Sequence, residues 1–257
     1  MELFVVCTAA LLASGLTLFS GFGLGTLLMP VVALFFPLEL AIAMTAMVHL
    51  ANNLFKIGLL GRKADRSVLL KFGLPAIAAA FVGAAVLTSL GDIKPIYEYH
   101  ALGSVRQVSA LKLVIGVLII SFVVLELSPA FSRVALDRRW LPLGGLISGF
   151  FGGLSGHQGA FRSMFLITAG LEKEAFVATG VVLAVMVDLS RMTVYGADLS
   201  AHGEAIPWRL VIGASLSAFA GAYVGAKMLK KVTFRSIQLV VSTLLMVVGG
   251  GLIAGLL

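Results

Sequence analysis

Apolar runs of membrane-spanning length recur along this chain, among them 38–60, 68–90, 108–127, 208–229 and 234–257, and that recurrence leaves few folds open. Hydrocarbon offers the backbone no hydrogen-bond partner, so a crossing segment must be a helix or part of a closed barrel, and about 20 apolar residues make a helix long enough. With 257 residues, 60% of them hydrophobic and only 12% charged, at a mean hydropathy of +1.07, the sequence predicts an all-α polytopic membrane protein. The amino terminus, MELFVVCTAALLASGLTLFSGFG, lacks the basic region and cleavage site of a secretory signal and is expected to remain as the first membrane element. Cys7 is the only cysteine, which excludes an intrachain disulfide, a CxxC redox pair and a thiolate metal cluster.

The net charge of +7 sits in short segments, GRKADRS (61–67), SRVALDRRW (132–140) and KMLKKVTFR (227–235). In a membrane protein such segments mark the cytoplasmic side, so the charge speaks for lipid and topology and against nucleic acid.

One stretch breaks the apolar pattern. Residues 144–164, GGLISGFFGGLSGHQGAFRSM, carry seven glycines with a histidine, a glutamine and an arginine. Glycine loosens a helix interior, and irregular backbone at membrane depth must be buried in protein or line a polar cavity. The expectation is a broken helix around a binding site, and 15–30 (GLTLFSGFGLGTLLMP) reads as a weaker version of it.

The two stretches are related. An offset of 134 residues aligns Gly15 with Gly149, Gly25 with Gly159, Ala41 with Ala175, Thr45 with Thr179 and Val48 with Val182 without a gap. The chain therefore reads as one transmembrane domain over 1–257 holding two repeats, 1–127 and 141–257. Each is a glycine-broken pair of short helices, re-entrant or spanning, followed by three transmembrane helices. If the basic segments lie inside, the mixed-charge loops 91–107 and 196–207 lie outside, and the repeats are inverted. The tips of the broken pairs, 20–25 and 152–159, are then expected to meet near the midplane.

A half-helix that starts at the midplane points unpaired amides and the positive end of its dipole into the cavity, which attracts anions. Thr26 and Ala160 stand at those starts, beside Gly25 and Gly159, with His157 and Gln158 in the turn. Arg162 follows, and a guanidinium at membrane depth suits an oxyanion. On the helix AIAMTAMVHLANNLFKIGLL, Thr45, His49, Asn52, Asn53 and Lys56 fall within an arc of about 100 degrees and form one polar stripe. It is expected to face the cavity, with Lys56 snorkelling at the helix end. The second copy keeps Thr179 but has Leu183 and Met186 where His49 and Asn52 stand. It adds Asp188 and Arg191, spaced to pair, and expected near the outer surface. His49 and Asp188 are the candidates for proton coupling.

The glycine cluster before Pro30, the A-x-x-x-T pattern at 41–45 and 175–179, the duplication and the basic segment 227–235 together resemble the sulfite exporter TauE/SafE family, over essentially the whole chain. The resemblance implies a bacterial inner-membrane permease for sulfite, organosulfonates or related small anions, and no cofactor is expected. It marks Gly23, Gly25, Pro30 and Thr45 in the first copy and Gly156, Gly159 and Thr179 in the second. His157 and Gln158 interrupt the glycine run before Gly159, and Met164 replaces a proline. The expected partners are a small anion and the lipid bilayer, and a homodimer is compatible with the pattern. The sequence holds no HExxH and no P-loop, and GLSGHQG only approximates GxSxG, so no enzyme is expected. A metal-ion permease using His49, His157 and Asp188, or one for another small anion, is the alternative.

Overall fold

The computed structural model describes residues 1–17, 23–60, 63–101, 103–128, 136–167, 169–202, 206–228 and 234–257. In chain order the elements are α1 (Glu2–Thr17), α2 (Leu24–Val32), α3 (Leu38–Leu60), α4 (Arg66–Gly91), a hairpin of β1 (Tyr97–Ala101) and β2 (Ser104–Val108), α5 (Ala110–Leu127), α6 (Leu141–Ser155), α7 (Gly159–Ile167), α8 (Lys173–His202), α9 (Trp208–Met228) and α10 (Phe234–Ile253). The tip expected at 20–25 and the segments 61–67, 132–140, 196–207 and 227–235 fall partly outside the described residues.

Among the described residues, helices over Leu38–Gly58, Arg66–Gly91 and Glu174–Ser200 are long and apolar enough to cross a membrane. The distribution of side chains agrees. On α4, Ala76, Ala80, Gly83 and Ala84 are buried while Leu70, Leu74, Phe81 and Val82 are exposed. On α9, Ala214, Ala218 and Ala222 face inward while Ile212, Leu216 and Val224 face out. Water would drive the large side chains inside. In lipid the outward face is already solvated by hydrocarbon, and small residues inside let helices approach. The chain is a helical membrane protein.

Helix packing crosses between the halves in a reciprocal way. Helix α6 packs along α4 and α1 packs along α9, α3 meets α8, and α5 meets α10. The closest contacts run through glycine. A Cβ at Gly145, Gly149 or Gly153 would lie 2.1, 2.2 or 2.1 Å from the carbonyl oxygen of Phe72, Ala76 or Ala80 on α4. The counterpart contact has Gly221 and Gly225 of α9 against α1, where a Cβ would lie 2.1 Å from the Leu11 oxygen and 2.6 Å from that of Gly15. Residues 144–164, expected as a broken helix, are divided between α6 and α7. Five of the seven glycines there lie in the unbroken α6, and three of them, Gly145, Gly149 and Gly153 at a spacing of four, form a flat face for α4. Only Gly156, at φ 81°, breaks the helix, because its left-handed conformation ends α6.

Two further features were not anticipated. Helix α4 contains a π-helical turn, Leu69–Gly73, just before Pro75. Proline lacks an N–H and its ring crowds the carbonyl four residues back, and a wider turn relieves both. The segment 91–107, expected as a loop, contains the β-hairpin, with Tyr97 opposite Val108 and Ala101 opposite Ser104. It ties down the end of α10, since the Tyr99 hydroxyl donates to the Ala254 carbonyl and Arg106 Nη1 donates to that of Leu256 at 3.4 Å.

Candidate functional site

The polar stripe of α3 meets α8 at the centre of the bundle. Asp188 of α8 is fully buried. Its Oδ2 accepts from His49 Nδ1 at 2.6 Å and from Asn53 Nδ2 at 3.5 Å, and its Oδ1 accepts from Arg191 Nε at 3.0 Å and Nη2 at 2.7 Å. With Nδ1 donating to the carboxylate, a neutral His49 ring would keep Nε2 as an acceptor, and Asn53 Nδ2 lies 3.2 Å from both ring nitrogens. Arg191 reaches on to the turn after α6, where a Cβ on Gly156 would meet its Nη1 at 2.7 Å. A cation there complements the negative end of the α6 dipole. The hydroxyl of Tyr195, one turn along α8, donates to the Gly153 carbonyl at the same helix end.

The surface position expected for Asp188 and Arg191 is therefore wrong. Spacing identified the pair, but not its depth. Helix α8 continues to His202, through 196–202 that read as loop, so Asp188 lies near its middle. Removing one partner of such a pair leaves a buried charge unpaired, which costs about 3–5 kcal/mol. Lys56 is also buried, at 8% exposure, rather than snorkelling.

Beside this network the two short helices converge. A small crevice, with room for a water-sized molecule, is lined by Gly23, Thr26, Phe122, His157, Gly159 and Ala160. It joins the start of α2 to the start of α7, as the repeat suggested, with Phe122 of α5 as a third wall. Gly23 precedes α2 in extended conformation and caps it with no side chain. A Cβ there would lie 3.7 Å from Thr26 Oγ1 and 3.9 Å from His49 Nε2. The Thr26 amide donates to the Gly23 carbonyl at 3.0 Å, so it is not the free donor expected. The first-turn amides that helix geometry leaves unsatisfied are those of Leu24 and Gly25. On α7, Arg162 N donates to the Gln158 carbonyl at 3.0 Å, which places Gly159 and Ala160 among the amides without a partner inside the helix.

His157 is 4% exposed, and its Nε2 has no hydrogen-bond partner among the described residues. Its ring stacks on Phe122 at 5.1 Å and 5°, and its Nδ1 lies 3.0 Å from Ser155 Oγ. Phe122 meets Phe151 and Phe161 edge-on at 5.3 and 5.5 Å, so an aromatic wall backs the crevice.

The remaining expected residues are close by but do not line it. Gly25 packs on α3, where a Cβ would lie 3.7 Å from the Thr45 methyl, and the Thr45 hydroxyl is buried without a partner. Asn52 accepts from Ser14 at 3.2 Å while its Nδ2 has no partner. Arg162 donates to Gln158 Oε1 at 3.2 Å, and a Cβ at Gly180 would lie 3.6 Å from its Nε. Its side chain thus runs toward α8 and away from the amides it was expected to join. Phe122 and Tyr195 were missed, and Ser155 was weighed only for its place in GLSGHQG. Phe122 and Tyr195 lie in apolar surroundings with no local pattern, and only the helix packing brings them to the turn.

The description of the sulfite exporter TauE/SafE family matches residues 6–252. The chain belongs to the TauE/SafE family. Against curated proteins the sequence has no match. Family membership makes this a membrane transporter chain, and in this TauE/SafE chain the described residues hold no group of three or more His, Cys, Asp or Glu side chains placed to share a metal ion. His49 and Asp188 are instead engaged with each other.

Proposed function

We propose that the protein is a secondary transporter that carries a small sulfur-containing anion, sulfite or an organosulfonate, out of the cytoplasm across a bacterial inner membrane. The observation that carries this reading is the crevice at Gly23, Thr26, Gly159 and Ala160, where the starts of two half-helices point at one place. Each start supplies donors and the positive end of a dipole, and a dry setting strengthens both. In this proposal the anion sits between the starts of α2 and α7. His49 and Asp188 form the adjoining buried hydrogen-bonded pair, and Thr45, Asn52, Gln158 and Arg162 shape the path to either side.

The same reading takes 1–127 and 141–257 as inverted repeats, a proposal supported by the reciprocal packing of α1 on α9 and α6 on α4. In that arrangement positions 65 and 200 face opposite sides. Cysteine labelling of each in a Cys7→Ser background tests the topology, and labelling of both from one side overturns it.

The functional test is a thermal-shift panel on detergent-purified protein against sulfite, sulfoacetate, taurine, sulfate and thiosulfate. Stabilisation by one of the sulfur oxyanions is expected, because a ligand that binds only the folded state raises its melting temperature. A flat response across the panel rejects the reading.

A further inference from the structure

The hydrogen bonds around His157 specify which protonation form of the anion this crevice accepts. Ser155 Oγ lies 3.2 Å from the Phe151 carbonyl four residues back, with His157 Nδ1 3.0 Å away on its other side. A hydroxyl has one hydrogen. The carbonyl can only accept, so that hydrogen goes to Phe151, and the contact with His157 is made only if Nδ1 carries a proton and donates it. With Ser155 donating to Phe151, the neutral ring bears its hydrogen on Nδ1 and turns a bare lone pair on Nε2 into the crevice, and this is the tautomer the proposal below takes. That Nε2 is buried and has no partner among the described residues.

Apart from the Thr26 hydroxyl, which can donate or accept, the other groups aimed into the crevice are donors. The first-turn amides of α2 and α7 ask for acceptor oxygens, whereas His157 Nε2 asks for a hydrogen. A fully deprotonated oxyanion satisfies the amides but presents another lone pair to Nε2. A sulfonate presents carbon in place of a hydroxyl and also leaves Nε2 unpaired, which a buried polar group tolerates poorly. We propose that the ligand of this crevice is an oxyanion that carries its own O–H, such as hydrogensulfite, donating that hydrogen to His157 Nε2 while its remaining oxygens accept from the starts of α2 and α7. This rests on the anion-transport reading above and narrows it. Moving hydrogensulfite is equivalent to moving sulfite together with a proton, so the coupling proton travels on the substrate.

The charged and titratable groups near His157 come from each neighbouring element. Arg191 of α8 packs against Gly156, His49 of α3 lies beside Gly23 across the crevice and is bound to Asp188, and Arg162 of α7 is held by Gln158. No carboxylate among the described residues is hydrogen-bonded to His157 itself.

Calorimetry on the purified full chain with sulfite, selenite and methanesulfonate tests the proposal. Hydrogenselenite is a weaker acid than hydrogensulfite and so persists to higher pH. The affinity for both should fall as pH rises, with the selenite limb displaced to higher pH along with its own acidity. Methanesulfonate, a monoanion with no hydrogen to give, should bind at least tenfold more weakly than sulfite at a pH where hydrogensulfite predominates. His157→Gln, whose amide can donate, should shrink or invert that preference, while His157→Phe should lower affinity for hydrogensulfite and leave that for methanesulfonate within about threefold.

A pH limb that falls at the same place for sulfite and selenite assigns the proton to the protein and overturns the proposal, as does equal binding of methanesulfonate; in either case the anion-transport reading stands. Binding of none of the three by folded protein overturns both.

Discussion

Helices α3 and α8 occupy corresponding places in the two halves and pack on each other, yet they divide the chemistry unequally. Around them the halves repeat: α1 on α9 answers α6 on α4, with a glycine ladder in each contact. At the centre they do not. Helix α3 supplies His49 and Asn53, α8 supplies Asp188 and Arg191, and the position matching His49 holds Leu183. Packing can be symmetric because small residues suit either side of a contact. A buried charge needs an unlike partner, and a strict repeat across such a contact would set like against like. The helix contacts are thus reciprocal between the halves and the network is not.

The largest effect expected from breaking that comparison is in the network. Asp188→Ala leaves Arg191 and its charge buried without the carboxylate, and should cost about 3–5 kcal/mol, enough to abolish recovery of folded protein. Thermal unfolding in detergent reads it. The double variant Asp188→Leu/Arg191→Met should recover most of the loss, since it removes the pair rather than half of it. Failure of the double variant to recover would mean that the network holds the helices in a way apolar contacts cannot replace.

The glycine contacts should respond next, and alike. Gly149→Ala and Gly221→Ala each place a methyl near 2.2 and 2.1 Å from a carbonyl oxygen, and each should destabilise by about 1–3 kcal/mol as the helices are pushed apart. A twofold or greater difference in their loss of melting temperature would break the reciprocity of the two contacts.

His49→Gln tests function rather than fold. Asp188 keeps Arg191, so the variant should unfold within a few degrees of the parent, while the proton dependence of transport in vesicles reads the role of the ring. If the proton rides on the substrate, that dependence persists. Its loss would return the coupling to the His49–Asp188 pair.

The smallest contrast is between the paired threonines. Thr179 Oγ1 accepts the Asp65 amide at 2.9 Å, while the Thr45 hydroxyl has no partner. Thr179→Val should therefore cost about 1 kcal/mol and Thr45→Val close to nothing or a slight gain, read by melting temperature. The reverse order would show that Thr45 finds a partner in another state of the transporter.

Much of this molecule is determined along the chain. Run length and hydropathy set the helices, and Thr26, Gly159 and Ala160 marked the ends that converge, because each is a local property of backbone preference and spacing. Tertiary structure alone decided depth and partnership. Asp188 could be placed opposite Arg191 from spacing, but only the full length of α8 buried them and only its packing on α3 added His49. The glycines of α6 looked like weakness until α4 lay against them. His157 was visible as a polar residue among glycines, but the direction of its hydrogen bonds depends on Ser155, Phe151 and the turn at Gly156. A side chain's type is written in the sequence, whereas its dielectric surroundings and its hydrogen-bond partners come from residues far along the chain and exist only once the helices have packed.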